Sequence, residues 1–263
     1  MLRLENVTMV YNAGTPDENR ALKNLTLAVQ EGDFITMIGS NGAGKTTLFD
    51  VIAGRQKPAA GKIFLNDVDI TRQPEHRRAR RIGRIYQNPL LGTAGGMSLE
   101  DNMMISSRKG FKWPVFGLTP KKREYFRREV ARLDMGLEQR LRENVRMFSG
   151  GQRQALTLLM MVLSRPDLVL LDEHTAALDP KNAALVLRLT LDFIREYRLT
   201  ALMITHNMSH AIEYGNRLLM MDSGEIIFEA AGKEKEALTI EKLVSKFHEL
   251  RARDLESDEV RLS

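Results

Sequence analysis

The sequence predicts an α/β protein, and three stretches carry that prediction. The first is a glycine-rich loop, Gly39-Ser40-Asn41-Gly42-Ala43-Gly44-Lys45-Thr46-Thr47. It stands between an apolar run at 34–38 and the helically spaced Leu48, Phe49, Val51 and Ile52, so it reads as strand, loop, helix. The second, Leu168-Val169-Leu170-Leu171, is apolar throughout and ends in Asp172-Glu173, the pattern of a parallel strand covered on both faces. The third is the apolar and polar alternation at 2–11, 25–29 and 62–65, the last ending in the hairpin-type turn Asn66-Asp67. It predicts antiparallel strands beside the strand–loop–helix unit.

Composition narrows the class. At 263 residues the chain has room for one large α/β domain or two small ones. Charged residues make up 28% and hydrophobic residues 43%, which argues against disorder. The longest apolar runs are about nine residues, as at 155–163, against the ~20 needed to span a bilayer. The N-terminus alternates like a strand and carries no signal-like apolar block, so a cytoplasmic location is expected. With no cysteine, disulfides and thiolate metal sites are excluded. The net charge of +5 is concentrated in Arg77-Arg78-Ala79-Arg80-Arg81 and at 121–128. The interleaved acids Glu124 and Glu129 favour solvated helix faces over a nucleic-acid surface.

Further elements follow in order. Residues 81–86 read as a strand ending at Gln87-Asn88-Pro89, and from Ser98 to about 141 the pattern is helical, with Ser98 and Thr119 as candidate N-caps. Between those helices, 110–117 holds the only tryptophan amid glycine and proline, which suggests a contact loop. Ser149-Gly150-Gly151-Gln152 opens a long helix, Asp179-Pro180 another, and a strand at 201–205 runs into His206. A hairpin around Ser223-Gly224 and a charged amphipathic helix from Thr239 to about Arg253 complete the chain.

The residue types of the glycine loop specify its chemistry. Glycines let successive N–H groups curl around phosphate oxygens, and the helix that follows points its positive end at them. Lys45 can reach β and γ phosphates, and the Thr46 hydroxyl can hold Mg²⁺. Asp172 can join that metal's shell, and Glu173 can polarise the water that attacks the γ-phosphate. Ser149-Gly150-Gly151-Gln152, at a helix N-terminus, is a second anion site. Two phosphate half-sites in one chain suggest two copies head to tail, with ATP between them and hydrolysis releasing them.

In these motifs the chain resembles the ATP-binding subunit of an ABC transporter over residues 1 to about 235. The family's landmarks occur in order: the phosphate loop at 39–46, the glutamine loop at Gln87, and the signature Phe148-Ser149-Gly150-Gly151-Gln152. The acidic strand to Asp172-Glu173, the Asp179 loop and the switch histidine His206 follow. The resemblance implies a P-loop NTPase fold with a RecA-like, mainly parallel sheet, an antiparallel β subdomain and a helical signature subdomain at about 90–165. The expected division is an ATPase domain over 1–235 and a C-terminal helical tail over 236–263. The implied catalytic set is Lys45, Gln87, Glu173 and His206, and the metal set Thr46, Gln87 and Asp172. Tyr11, stacking on adenine, joins residues 39–47 and 149–152 in the nucleotide set. ATP and Mg²⁺ are the implied cofactors. The implied partners are transmembrane permease subunits on the inner face of the membrane, a second identical ATPase subunit and an extracytoplasmic binding protein, with no nucleic acid.

Departures from the family pattern are few. Phe148 replaces a usual leucine, an apolar exchange. His174 follows Glu173 where proline is common, and is expected to be a tolerated loop residue rather than a group titrating near the γ-phosphate. His206 and His210, four apart, lack an evident third ligand for zinc. The run Asp172-Glu173-His174-Thr175-Ala176-Ala177-Leu178-Asp179 and the insertion at 108–120 resemble importers of amino acids, including aromatic ones. Two rival readings are weaker. An ABC ATPase acting on nucleic acid or the ribosome would carry long coiled-coil insertions or two cassettes, and a P-loop kinase has no use for Ser149-Gly150-Gly151-Gln152.

Overall fold

The computed structural model describes residues 1–107 and 118–249. The aromatic stretch 110–117, expected to form a contact loop, and the chain beyond 249 lie outside the described residues. The first part of the chain comprises β1 (Leu2–Tyr11), β2 (Asn19–Val29), β3 (Phe34–Gly39), α1 (Lys45–Ala53), β4 (Ala60–Leu65), β5 (Val68–Asp69), α2 (Glu75–Arg78) and β6 (Ile82–Ile85). Then come α3 (Leu99–Ser106), α4 (Pro120–Ala131), α5 (Gly150–Leu163), β7 (Leu168–Asp172), α6 (Pro180–Tyr197) and β8 (Thr200–Ile204). The last described part holds α7 (Met208–Glu213), β9 (Arg217–Asp222), β10 (Glu225–Ala231), α8 (Gly232–Glu236) and a helical segment at 240–249.

Two sheets form. The smaller is antiparallel, in the order β2-β1-β4-β5. Its β4–β5 hairpin turns through Asn66 and Asp67 with φ of 48° and 60°, the left-handed pair that a two-residue hairpin demands. The larger runs β10-β9-β3-β8-β7-β6 and is parallel except for the β9–β10 hairpin. β7 and β8 are buried at every residue, which is why both read as continuous apolar runs. The sheet order places the carboxyl ends of β3, β8, β7 and β6 side by side, the edge where parallel sheets bind ligands.

Three apolar clusters fill the interior. One packs α1 and the antiparallel sheet, through Leu2, Leu4, Leu22, Leu48, Phe49 and Ile52, against the larger sheet. A second joins α3, α4 and α5 to α6 and the other sheet face. The third is small, and in it Leu243 of the C-terminal helical segment is fully buried with Ile38 and Met220.

The arginine-rich run at 77–81 is only in part the solvated face expected from its composition: Arg77 and Arg80 are exposed, but Arg78 is not. Arg78 is only 2% exposed. Its Nη1 donates to the carbonyls of Val51 and Ile52, both at 2.8 Å, its Nε to Gln73 O at 2.9 Å and its Nη2 to Thr71 O at 3.0 Å. The guanidinium thus binds carbonyls in the last turn of α1, where a cation also meets the negative end of the helix dipole. Burial lowers its pKa to about 10. Arg81 is likewise engaged, 2.6 Å from Asp167.

Candidate active site

The glycine loop leaves β3 at Gly39 and enters α1 at Lys45. Two of its glycines are sterically required. A Cβ at Gly39 would lie 2.1 Å from Met221 O, and one at Gly44, whose φ is 94°, would lie 2.4 Å from Ala21 O. Lys45 folds back into the loop, its Nζ donating to the carbonyls of Gly39 and Ser40 at 2.8 Å each. Burial pushes the Lys45 ammonium below its usual pKa, against the pull of Glu173, Asp172 and Asp222. Lys45 is thus a buried cation with three carboxylates in its electrostatic reach.

At the end of β7 the Asp172 carboxylate is buried, with Oδ1 3.4 Å from the Thr46 hydroxyl. Neighbouring oxygens in an octahedral Mg²⁺ shell of 2.0–2.1 Å bonds stand about 2.9 Å apart. One hydroxyl and one carboxylate oxygen at nearly that spacing, both hard donors, fit Mg²⁺. The next residue, Glu173, adopts a left-handed φ of 47°. The backbone reverses there, and the Glu173 side chain reaches His206 at the end of β8, Oε1 to Nε2 being 2.5 Å. His206 is half exposed, while Glu173 is mostly covered.

His174 lies in the turn after β7, as expected of a loop residue, but it is not a surface position. It is fully buried, and burial lowers its pKa to about 4. Its Nε2 lies 3.0 Å from Thr190 Oγ1, whose own proton goes to Val186 O at 2.8 Å. The ring is therefore a neutral tautomer with hydrogen on Nε2. Its carbonyl accepts from Gln154 Nε2 at 2.7 Å, and the same amide donates to Tyr86 O at 3.0 Å. Gln154 thereby ties the residue after Glu173 to the residue before Gln87. No reading of the sequence singled it out, although a glutamine on the apolar face of α5 is the signal that marks it.

The signature residues lie at the start of α5. Ser149 Oγ accepts from Gln152 N at 3.2 Å, and Gln152 Oε1 accepts from Ser149 N at 3.0 Å, a reciprocal cap. Gln152 is thus spent within its own helix. Gly150 is open to solvent, and the first-turn N–H groups of such a helix have no acceptor inside it. Gly151 instead packs on α6, where a Cβ would fall 2.6 Å from Asn182 Cγ. Asn182 is held by Asp179, the N-cap of α6, through Nδ2 to Oδ2 at 2.5 Å.

Lys45, Thr46, Asp172, Glu173 and His206 are therefore brought together with the glycine loop, while among the described residues no hydrogen bond or ion pair joins Gln87, Tyr11 or the signature residues to them. Gln87 is exposed just past β6, and Tyr11, at the end of β1, is half-buried against the first cluster. Beyond Gln87 a cleft of about 480 Å³ opens between the sheet edge and the helices, lined by Arg80, Arg84, Tyr86, Leu91, Ile105 and Met160.

This arrangement defines a P-loop ATPase. The ABC transporter family model matches residues 22–176, more than half of the chain, and the chain belongs to that family. A tyrosine transport ATP-binding protein of Clostridioides difficile is 38% identical over 94% of this chain and 98% of its own length. A phosphonates import ATP-binding protein of Alcaligenes faecalis is 34% identical over 87% and 82%. The fold matches a dimeric, post-hydrolysis ATP-binding cassette bound to ADP and Pi, with a TM-score of 0.72 at 24% identity over 88% of this chain and 98% of that one. ATP hydrolysis is the activity of the family.

Proposed function

We propose that this chain is the ATPase subunit of an importer for amino acids, aromatic ones in particular, and that it works as a homodimer beneath separate permease subunits. The observation that carries the chemistry is the Glu173 carboxylate, held by His206 beside Lys45, Thr46 and Asp172. In this reading Lys45 binds the β and γ phosphates, and Thr46 and Asp172 hold Mg²⁺, with Gln87 able to swing to the same ion. Glu173 takes up proton density from the attacking water, and His206 orients that carboxylate. Mg²⁺ supplies charge neutralisation on the phosphates when bound. Tyr11 offers its ring to the adenine from the edge of the smaller sheet.

Gly150 and its neighbours face outward from the start of α5, which supports a second copy supplying this anion site to the γ-phosphate. A solved cassette of the same fold is dimeric, which is consistent with a pairing of two copies. Exposed Leu91 and Ile105, at 61% and 56%, line the cleft beyond Gln87, which supports its use as the permease dock. Attachment there places the subunit on the cytoplasmic face of the membrane. Among the described residues no helix is long and apolar enough to cross a membrane itself. The expected division into an ATPase unit over 1–235 and an appended segment belongs to this proposal. Burial of Leu243 makes the described part of that segment a brace behind β3.

The substrate class rests on the tyrosine transport relative. The test is ATPase activity of the reconstituted complex with its permease and binding protein. Tyrosine or phenylalanine is expected to stimulate turnover severalfold. Stimulation by a phosphonate, with none by amino acids, would reassign the substrate.

A further inference from the structure

Behind Asp172 lies an arginine that none of the steps above uses. Arg84 sits on β6, beside β7 in the sheet, with its side chain 6% exposed. Its Nη1 donates to Asp50 Oδ1 at 2.6 Å and its Nη2 to Asp172 Oδ2 at 2.9 Å. Asp50 belongs to α1, the helix that begins at Lys45. The guanidinium also lies 4.7 Å over the Tyr86 ring, and its Nε is buried with no hydrogen-bond partner among the described residues. Burial opposes the charge, yet the hydrogen bonds to Asp50 and Asp172 overcome it and raise the pKa. An apolar side chain would fill the same space without an orphaned nitrogen, so packing alone does not account for the arginine. It does what an apolar residue cannot: with Oδ2 taken by Nη2, the Asp172 carboxylate is rolled so that Oδ1 faces Thr46.

We infer that Arg84 is a positioning residue for the metal site, holding Asp172 by one carboxylate oxygen so that the other is presented with Thr46 to the ion. It also anchors that carboxylate to the phosphate-loop helix through Asp50, so loop and strand end keep a fixed spacing. The planar fork reaches two acids at once, and a lysine ammonium at this site serves one of them. One positive charge between two negative ones leaves a net −1, which favours a divalent cation over an empty site. The inference rests on the reading of Thr46 and Asp172 as metal ligands.

The test uses the full chain carrying Glu173→Gln, so that ATP is not consumed, and follows free Mn²⁺ by electron paramagnetic resonance as the metal is titrated in. Arg84→Gln is expected to weaken Mn²⁺ binding about tenfold, with ATP affinity in EDTA within about twofold of the parent. Arg84→Lys recovers part of the loss. If circular dichroism shows that Arg84→Gln does not fold, Asp50→Asn carries the test, and its release of one arm weakens Mn²⁺ about threefold. Unchanged Mn²⁺ binding in the folded variant overturns the inference, as does an equal loss of ATP affinity in EDTA. Asp172→Asn separates the two levels. If it too leaves Mn²⁺ binding unchanged, the metal-site reading fails; if it alone weakens binding, only the role of Arg84 fails.

Discussion

His206 Nε2 lies 2.5 Å from Glu173 Oε1, and that contact joins the ends of two adjacent strands, β8 and β7. Glu173 reaches it only because its own backbone is in the left-handed region, which an L-residue enters at a cost of about 1 kcal/mol. A strained glutamate pinned by a half-exposed histidine is a device for aiming a carboxylate. His206→Ala is therefore expected to lower kcat about 10²-fold while KM for ATP changes less than threefold. Steady-state kinetics check this, and a rise in KM with kcat unchanged would assign His206 to binding instead.

The two signature glycines should separate in experiment. Gly151 lies against Asn182, so Gly151→Ala is expected to destabilise the monomer by about 1–3 kcal/mol in urea unfolding. At Gly150 the nearest atom to an added Cβ is Leu178 Cδ2 at 3.5 Å, which leaves room. Gly150→Asp should keep the unfolding midpoint and ATP binding, yet abolish ATP-driven dimerisation measured by light scattering. Normal dimerisation by Gly150→Asp would remove the signature from the subunit interface.

His174 predicts a pH dependence of stability. Its folded pKa of about 4 lies below the ordinary 6.5, so between those values the unfolded chain binds more protons and stability falls as pH falls. From pH 7 to pH 5 the wild type should lose about 2 kcal/mol that His174→Gln does not lose. Denaturant unfolding of both at the two pH values decides it, and parallel losses would contradict the neutral buried imidazole.

Leu91 is 61% exposed on the lip of the cleft. Leu91→Asp is expected to leave ATPase activity of the isolated subunit within about twofold while abolishing co-purification with the permease, because it replaces an apolar contact at the cleft lip by a charge that must be desolvated on docking. Intact assembly would move the dock away from this cleft.

Much of this was legible in the sequence, for physical reasons. The loop at 39–47 must be glycine-rich because backbone approaches backbone there, and β7 and β8 must be apolar because both faces are covered. Caps at Ser98, Thr119, Ser149 and Asp179 marked helix starts that the structure reproduces. What was not legible depends on partners far along the chain. Arg78 and Arg81 stand in the same basic run as Arg77, and only the carbonyls of α1 and the carboxylate of Asp167 set them apart. His174 is told from an exposed turn residue by Thr190, and Gln154 from an ordinary helix residue by Tyr86. The short α2, α7 and α8 carry too few turns to show a period.

The central claim is that Glu173 is the group that activates water at the γ-phosphate, and Glu173→Gln tests it most directly. The amide keeps the side chain's size but cannot take up a proton as the carboxylate does. With MgATP the variant is expected to bind nucleotide within about threefold of wild type, hydrolyse it at least 10²-fold more slowly and accumulate as a dimer in light scattering. Turnover at the wild-type rate, with no ATP-bound dimer, would contradict the assignment.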